Sequence, residues 1–566
     1  MMKKLAAIVL ATMMLFGACA QADYLLGSAA KDVGNIELAV KYWTAAAEQG
    51  DAESAYALGK MYFEADGVAQ DDAAALEYFR MAAQQNLAKA QHAVGLCHEL
   101  GRGTAVDTAA ALEWYTKAAE QDYMASLERG GNLLRNGGDY AAAMEWYMKA
   151  YGLGRVKAAN QIGLLYKNGY GVEQDDAKAF EWFMIAAEAG SDAAMHNIAV
   201  AYKNGNGVEK DYAAAIEWNL KSLELDPDDT NTMDNLAWLY QQNGYGVTPD
   251  YVASMEWYKK AYELGMTGAA NPIGVMYELG QGTEQDYAQA MSWYEIAAED
   301  GSCYAMYNIG LMYMNGRGVE QHYATAADWF KKSVEIKPDY VSAMEQLGWL
   351  YQQDSYGITP DYAQAIEWLL KAYENASAYA AKRIGWNYEH GGYGTEQDYA
   401  KAVEWYLKAY ELGETSVASS IAYAYMKGQG VDQDYAKAVQ WYEKSLEADP
   451  ERVDSMDQLG WMYTQGGYGI EEDHAAALEW MTKAYEKGST YAASVAGWIY
   501  WVGGCGVETD YTASLEWYTK AAELGDAKSM YWVSEIYRRG LTAEADEALA
   551  DEWLQKAIAN GYVPAN

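Results

Sequence analysis

The stretch that decides the fold is residues 193–225, AAMHNIAVAYKNGNGVEKDYAAAIEWNLKSLEL. Ala194, Ile198 and further apolar residues recur at helical spacing in its first third, which predicts an amphipathic helix, called helix A below. The NGNG sequence that follows predicts a tight turn, because glycine tolerates the left-handed conformation that ends a helix. Asp211 then precedes a second helical segment around Trp218, called helix B. The stretch therefore predicts a helix–turn–helix unit.

The tryptophan of helix B recurs along the chain at intervals of 32 to 39 residues. Self-similarity at this period is typical of stacked helix pairs, none of which can bury its apolar face alone. We therefore predict an all-α solenoid of about 14 antiparallel helix-pair repeats. Because the tryptophans lie among alanines and other apolar residues, we expect them to form a buried seam. The recurring tryptophans are Trp114, Trp146, Trp182, Trp218, Trp257, Trp293, Trp329, Trp368, Trp405, Trp441, Trp480, Trp517 and Trp553.

An aspartate precedes each helix B in nearly the same place. Counting Trp43 and Tyr78 as the first two anchors, it lies seven residues before the anchor in 13 of the 15 units. An aspartate there is expected to cap the N-terminus of helix B and to complement the helix dipole. The predicted caps are Asp71, Asp107, Asp139, Asp175, Asp211, Asp250, Asp286, Asp361, Asp398, Asp434, Asp473, Asp510 and Asp546.

Three motifs, with substitutions from unit to unit, follow one another along the repeats: A-x-x-x-[LI]-[GA]-x-x-Y, G-x-G-V-x-x-D and A-x-x-W-[YF]-x-K-A. In this order they resemble the Sel-one-like repeat family, which is related to the tetratricopeptide repeat. The resemblance covers roughly residues 35–563 and implies a right-handed superhelix of antiparallel helix pairs that acts in protein–protein interaction or complex assembly. We expect residues 23–566 to form a single continuous solenoid, with the final repeat, about residues 526–563, as a C-terminal cap.

The composition argues against several classes of partner. The 566 residues include 41 Lys and Arg against 81 Asp and Glu, which gives a formal charge of −40. Such a polyanion repels nucleic acid and anionic lipid headgroups. Most of the negative charge is explained by solvated helix faces and acidic helix starts, and a specific cationic partner is the alternative.

The N-terminus is typical of a bacterial export signal. Two lysines precede the apolar run Leu5–Gly17, and Ala20-Gln21-Ala22 fits a signal-peptidase site, so residues 1–22 are expected to be removed. Cys19 offers an alternative as the lipid-bearing cysteine of a membrane-anchored lipoprotein, although Phe16 fits a lipobox poorly. No later apolar run approaches the ~20 residues that a membrane span needs. We therefore predict a periplasmic or secreted protein.

The sequence contains no convincing catalytic motif, and no cofactor or metal site is predicted. Ser28-Ala29-Ala30-Lys31 matches the S-x-x-K nucleophile motif, but the S-D-N and K-T-G partners of that motif are missing. A β-lactam hydrolase is therefore only a remote alternative. Cys97, Cys303 and Cys505 lie far apart along a solenoid, so intrachain disulfides are not expected.

The candidate binding residues occupy one position of helix A, just before the [LI]-[GA] pair. The first helix of each pair lines the concave groove of a repeat superhelix, where side-chain amides can bond the backbone of an extended partner. The alternative is that these side chains bond neighbouring repeats. The candidates are Gln161, Asn197, Asn235, Asn308, Gln346, Arg383 and Gln458.

We therefore predict an exported, non-enzymatic scaffold or adaptor that binds protein or peptide partners through its groove. Cell-wall or glycan binding by exposed aromatic residues is the alternative function. Tyrosines beside glycines in the predicted turns are the clearest candidates for that role. These turn tyrosines are Tyr170, Tyr245, Tyr356, Tyr393 and Tyr468.

Overall fold

The computed structural model describes residues 21–563. The predicted lipid-bearing Cys19 and all but the last two residues of the predicted export signal lie outside this part of the chain. Within it, no helix combines the length and the apolar composition that crossing a membrane would require.

The part of the chain between residues 21 and 563 forms thirty α-helices, which confirms the predicted all-α fold. Helix α1 covers residues 21–32, and α2 is Ile36–Glu48. From α3 onward the odd-numbered helices are helices A and the even-numbered ones are helices B, giving fourteen pairs in this region.

Most helices A and B are 13 residues long. Helices A are α3 Ala52–Glu64, α5 Ala88–Leu100, α7 Met124–Asn136, α9 Ala158–Asn168, α11 Asp192–Asn204, α13 Thr230–Tyr240, α15 Ala270–Leu279, α17 Cys303–Asn315, α19 Val341–Leu350, α21 Ala378–His390, α23 Ala418–Lys427, α25 Val453–Gln465, α27 Thr490–Val502 and α29 Ala527–Arg539. Helices B are α4 Asp72–Gln84, α6 Thr108–Ala119, α8 Tyr140–Gly152, α10 Asp176–Glu188, α12 Tyr212–Leu225, α14 Tyr251–Glu263, α16 Tyr287–Glu299, α18 Tyr323–Ile336, α20 Tyr362–Glu374, α22 Tyr399–Glu411, α24 Tyr435–Ala448, α26 His474–Glu486, α28 Tyr511–Glu523 and α30 Glu547–Ala559.

The chain divides into two compact units, Met1–Gln285 and Asp286–Asn566, and each contains the same alternation of helices A and B. Within each unit, successive helices pack on their neighbours in sequence, as expected for stacked repeats. The single continuous solenoid over residues 23–566, its right-handed sense and the capping role of residues 526–563 stay predictions.

The predicted aspartate caps are confirmed at all thirteen positions within the described chain. In each case a carboxylate oxygen accepts a hydrogen bond from a backbone N–H two or three residues later, as Asp71 Oδ1 does from the Ala74 N–H at 2.9 Å. His322 takes the same place before α18, where its Nδ1 accepts from the Thr325 N–H at 3.2 Å. Each cap satisfies a backbone donor that a helix start leaves unpaired.

The buried seam lies one residue away from the predicted indoles. Trp43 is 4% exposed, but the later tryptophan anchors are only half-buried. At ten of these thirteen tryptophans, a lysine three residues on lies over the ring. The Lys371 ammonium, for example, lies 3.9 Å from the Trp368 ring centre. The fully buried side chain is usually the one after the anchor, such as Tyr115, Tyr147, Phe183, Tyr294, Phe330 or Tyr518.

A small residue on helix A makes room for that buried ring. A Cβ built on Gly163 would lie 2.6 Å from Phe183, and one on Gly310 would lie 2.6 Å from Phe330. These distances are shorter than real Cβ contacts allow, so the [GA] position of the motif is set by the approach of the two helices.

Candidate functional site

Two of the predicted groove residues in the first unit are bonded to the preceding helix A. The Gln161 carbonyl oxygen on α9 accepts a hydrogen bond from Arg135 Nη1 on α7 at 2.6 Å. The Asn197 amide on α11 donates to Asn160 Oδ1 on α9 at 3.0 Å. These side chains are half-buried and tie consecutive repeats together. Their binding role stays a prediction.

Asn235 on α13 is the most enclosed of the candidates, with 6% of its surface exposed. Its carbonyl oxygen accepts a hydrogen bond from Lys203 Nζ on α11 at 2.8 Å, and its amide donates to Asn219 Oδ1 on α12 at 3.3 Å. Because both polar ends are occupied within the stack, Asn235 is the candidate least available to a partner.

The four candidates of the second unit, Asn308, Gln346, Arg383 and Gln458, are half-buried at the same position of α17, α19, α21 and α25. Burial raises the pKa of Tyr307, and the neighbouring Gln346 side chain opposes this shift. The Arg383 guanidinium lies over the Trp386 ring at 5.2 Å, a cation–π distance. Gln346 and Arg383 therefore lie beside aromatic rings.

Sequence analysis missed a line of aromatic residues on the same helices. They lie three residues after the predicted position, so each shares a helix face with it. The Tyr423 and Trp498 side chains are 41% and 38% exposed, and the others are half-buried. The signal was present in the sequence as a spacing of 37 or 38 residues. This aromatic column consists of Trp349, Trp386, Tyr423, Trp461 and Trp498 on α19, α21, α23, α25 and α27.

A lysine lies between two members of the aromatic column, and a histidine stacks on a third. The Lys427 ammonium on α23 is 5.8 Å from the Tyr423 ring centre and 5.2 Å from the Trp461 ring centre on α25. The His390 ring stacks on Trp386 at 4.2 Å. The surface thus offers flat apolar rings, and aromatic residues are enriched at the centres of protein interfaces.

A second recurring feature is a short hairpin in the turn between helices A and B. Within the described chain, five turns carry an isolated antiparallel bridge and a tip residue with positive φ. The carbonyl of each tip accepts a hydrogen bond from the N–H of the first residue of the preceding helix B, at 2.7–3.0 Å. The tip and its partner are Tyr245 with Tyr212, Tyr356 with Tyr323, Tyr393 with Tyr362, Tyr468 with Tyr435, and Cys505 with His474.

The four tyrosine tips are four of the five predicted turn tyrosines. They are 51–58% exposed, and each ring lies 5.0–5.3 Å from its tyrosine partner. Tyr170 occupies a different turn and stacks on Tyr140 at 4.4 Å. A tyrosine at positive φ is uncommon, so these tips keep a conformation that glycine or asparagine would adopt more easily.

Two carboxyl groups at equivalent points of helices A have raised pKa values. Burial raises the pKa of Asp457 on α25 to about 6, although the Ser489 hydroxyl donates to both its oxygens at 2.9 and 3.0 Å. Burial also raises the pKa of Asp234 on α13, where the nearby Lys203 ammonium opposes the shift. Both groups belong to contacts between repeats.

The two ends of the S-x-x-K motif have other partners. The Ser28 hydroxyl donates to the Tyr24 carbonyl at 3.1 Å, and Lys31 Nζ donates to Asp66 at 2.6 Å. A serine nucleophile requires its base within hydrogen-bond reach, and here the lysine is paired elsewhere.

The family model of the Sel1 repeat matches fifteen consecutive segments of this chain. The chain belongs to the Sel1 repeat family. Sel1 repeats typically mediate protein interactions, and Sel1 repeat solenoids are generally non-catalytic scaffolds. The matched segments are residues 10–51, 52–87, 88–123, 124–154, 156–191, 192–226, 232–266, 269–302, 303–335, 341–377, 378–414, 418–450, 453–489, 490–526 and 527–562.

Solved structures of the same family resemble this chain. The crystal structure of a protective antigen of uropathogenic Escherichia coli with an SLR fold has 26% sequence identity and a TM-score of 0.53, and the match covers 93% of this chain and 98% of that one. A Sel1 repeat protein from Oxalobacter formigenes has 32% identity over 44% of this chain and 98% of its own, with a TM-score of 0.38. No curated protein matches the sequence.

Proposed function

We propose that the protein is an exported bacterial scaffold or adaptor that binds protein or peptide partners through the face formed by its helices A. The predicted concave groove and the seven candidate residues belong to this proposal. The partner is a protein rather than nucleic acid, because the chain carries a net charge of −40.

The observation that supports this function is the aromatic column beside the predicted polar positions. Arg383 and Trp386 lie on one helix face at i and i+3, as do Gln346 with Trp349 and Gln458 with Trp461. Partly exposed tryptophan and tyrosine rings supply large contact areas with little loss of side-chain freedom, which makes them frequent hot spots. A row of such rings at repeat intervals suits an extended partner.

Export is supported by the N-terminal sequence, in which the apolar run Leu5–Gly17 precedes a signal-peptidase site. A similar solved structure is that of a protective antigen present in uropathogenic Escherichia coli strains. We therefore propose a location in the periplasm or outside the cell. Lipid attachment at Cys19 is the alternative, and metabolic labelling with palmitate distinguishes the two.

Cross-linking in the native cell envelope, followed by affinity purification and mass spectrometry, tests the proposal. The full chain is compared with the double variant Tyr423→Ala and Trp498→Ala. A matched control replaces Leu412 and Leu524, which are 42% and 49% exposed at the ends of helices B, by alanine. We expect partner recovery to fall at least about tenfold in the aromatic variant, since hot-spot truncation costs roughly 2 kcal/mol or more. The control variant is expected to retain the partner; equal recovery from all three proteins would reject the helix A face.

Glycan or peptidoglycan binding is the second candidate, and the exposed tyrosine tips favour it. Tyr245, Tyr356, Tyr393 and Tyr468 recur at one point of the repeat with more than half of their surface exposed. Sedimentation with purified cell wall tests this function. Retention that disappears when the four tips are replaced by glycine would support it, whereas no retention of the unaltered protein would remove it.

A further inference from the structure

One of the five hairpin turns differs from the other four at three positions at once. The three positions are the tip residue, the first residue of the preceding helix B, and the residue two places before that helix begins. At the fifth turn all three side chains offer metal-ligand atoms. The equivalent sets are Lys210, Tyr212 and Tyr245; Gln321, Tyr323 and Tyr356; Pro360, Tyr362 and Tyr393; Gln433, Tyr435 and Tyr468; and Glu472, His474 and Cys505.

The backbone of the fifth turn is the same as that of the others. The Cys505 carbonyl accepts the His474 N–H at 3.0 Å, and Cys505 has a φ of 46°. The His474 ring meets Trp498 edge-on at 5.7 Å, just as Tyr435 meets Trp461 at 6.0 Å. The three side chains are therefore exchanged on an unchanged frame, and their grouping is not a consequence of a distorted loop.

The exchanged side chains converge. A carboxylate oxygen of Glu472, a ring nitrogen of His474 and the Cys505 sulfur all lie within 4.8 Å of one another. Glu472 Oε1 is 3.0 Å from His474 Nε2. Around a tetrahedral zinc ion with bonds of about 2.0–2.3 Å, neighbouring ligand atoms are about 3.3–3.8 Å apart. Small side-chain rotations would bring the group to that spacing.

The imidazole of His474 is an independent indication of a missing ligand. The residue is only 2% exposed, yet neither ring nitrogen makes a hydrogen bond to any described residue. The contact with Glu472 is short enough, but its angles are not those of a hydrogen bond. Buried polar side chains are nearly always satisfied, so an unpartnered imidazole facing a carboxylate and a thiol calls for a further atom.

We propose that Glu472, His474 and Cys505 form a site for a transition-metal ion of the zinc class. Thiol and imidazole ligands favour such ions over Mg²⁺ and Ca²⁺, which prefer oxygen. Glu472 and Cys505 are exposed, so the fourth coordination position faces solvent. The proposed site does not rest on the proposed partner binding, although His474 packs against Trp498 of the aromatic column.

Metal binding at this site has a structural consequence and a proton balance. Glu472 lies two residues before α26 and His474 is the first residue of α26, whereas Cys505 lies in the turn after α27. A bound ion therefore cross-links two repeats. Desolvation is the main cause that raises the pKa of the Cys505 thiol, and the neighbouring Glu472 carboxylate raises it further. The metal binds the thiolate, so the thiol proton is released to solvent when the metal–sulfur bond forms.

The test uses the untagged full chain under reducing conditions and a variant with Glu472→Gln, His474→Tyr and Cys505→Tyr. This variant reproduces the set Gln433, Tyr435 and Tyr468, which the chain already accommodates in the same frame. Calorimetric titration with Zn²⁺ measures the number of ions bound. Cys97 and Cys303 are buried in both proteins and serve as a common background.

We expect the unaltered protein to bind one Zn²⁺ more than the variant, and Ca²⁺ to give no difference. Co²⁺ is expected to produce thiolate charge-transfer absorption in the unaltered protein alone. Saturating Zn²⁺ is expected to raise its melting temperature by about 2–4 °C, because the ion binds only the folded site. Equal Zn²⁺ uptake by the two proteins, or Co²⁺ spectra without a thiolate band, would overturn the proposal.

Discussion

Helices A before and after residue 285 share a packing frame but differ in the face that they leave partly exposed. In both units the [GA] position accommodates a buried ring, and Asp caps begin helix B. The residue that follows the [GA] position differs. In the first unit it holds Lys60, Leu96, Asn132, Leu164, Val200, Trp238 and Val275. In the second it holds Leu311, Trp349, Trp386, Tyr423, Trp461, Trp498 and Glu535.

This difference separates what stacking requires from what it permits. At Gly163 and Gly310 a larger residue would press on the ring of Phe183 or Phe330, because an added Cβ would lie only 2.6 Å from a ring carbon. The position of Trp386 or Val200 is only half-buried, so side chains of very different size fit there. Variation is concentrated where packing tolerates it, and in the second unit it has produced a row of aromatic rings.

The largest expected effect concerns this variable position. Trp386→Ala is expected to lower the free energy of unfolding by about 2–3 kcal/mol, less than for a fully buried tryptophan. The indole packs on Tyr362 and His390, and those contacts would be lost. Val200→Ala, at the equivalent point of the first unit, is expected to cost at most about 1 kcal/mol. Urea unfolding measures both, and equal costs would remove the distinction between the units.

The shared frame predicts equal effects at equivalent glycines. Gly163→Ala and Gly310→Ala are each expected to cost about 1–2 kcal/mol, since the added methyl group presses against a buried ring. Gly152→Ala is the control, because nothing lies within 4 Å of its Cβ and alanine favours the helix. Thermal unfolding should show two destabilised proteins and one that is slightly stabilised. A large difference between the first two would contradict a common frame.

A pH measurement compares the two buried carboxyls. Folded Asp457 keeps its proton up to a pKa of about 6, against an ordinary value of 3.8. The folded state therefore binds more protons between these values, and the free energy of unfolding falls as the pH rises through them. Asp457→Asn removes this loss and is expected to stabilise the protein by about 1 kcal/mol at pH 7, after allowance for solvent screening.

Below about pH 4 the same substitution is expected to have no effect, because Asp457 is then protonated in both states. Asp234→Asn is the matched variant in the first unit and should gain less, since Lys203 stabilises the ionised carboxylate there. Unfolding curves at several pH values measure both. A gain for Asp457→Asn that does not change with pH would show that burial of charge is not its cause.

The smallest effect is expected at the turn tips, where the two units agree. Tyr356→Gly relieves a φ of 50° but loses the contact with Tyr323, so the net change should be within about 0.5 kcal/mol of zero. Tyr245→Gly should behave alike, because its φ is 48°. Tyr356→Val is expected to cost at least about 1 kcal/mol, since a β-branched residue resists positive φ. A Tyr356→Val variant that is more stable in thermal unfolding than Tyr356→Gly would contradict this account.

Much of the fold could be predicted because its signals are local. The cap of Asp71 on Ala74 involves residues three apart, and the glycine turns follow from the conformation of one residue. The predicted buried seam differs from the observed one by one position. Trp368 and Leu369 are both apolar, and only packing shows that Lys371 covers Trp368 while Leu369 is buried. Adjacent positions on a helix cannot be ranked for burial from hydrophobicity alone.

The candidate site was less predictable. The bonds of Gln161, Asn197 and Asn235 to other repeats join residues 16 to 37 positions apart, so the sequence leaves their partners open. The aromatic column was accessible, since Trp349, Trp386, Trp461 and Trp498 share a frame. It was overlooked because the helix B tryptophans dominate the repeat.

The sequence alone determined the repeat, the order of its helices, their caps and their turns, because each depends on residues within one or two helical turns of each other. Tertiary structure alone decided which rings are buried, which amides are already bonded and which faces stay open. It also brought Cys505 to His474, 31 residues earlier, because only the stacking of one repeat on the next sets the distance between them.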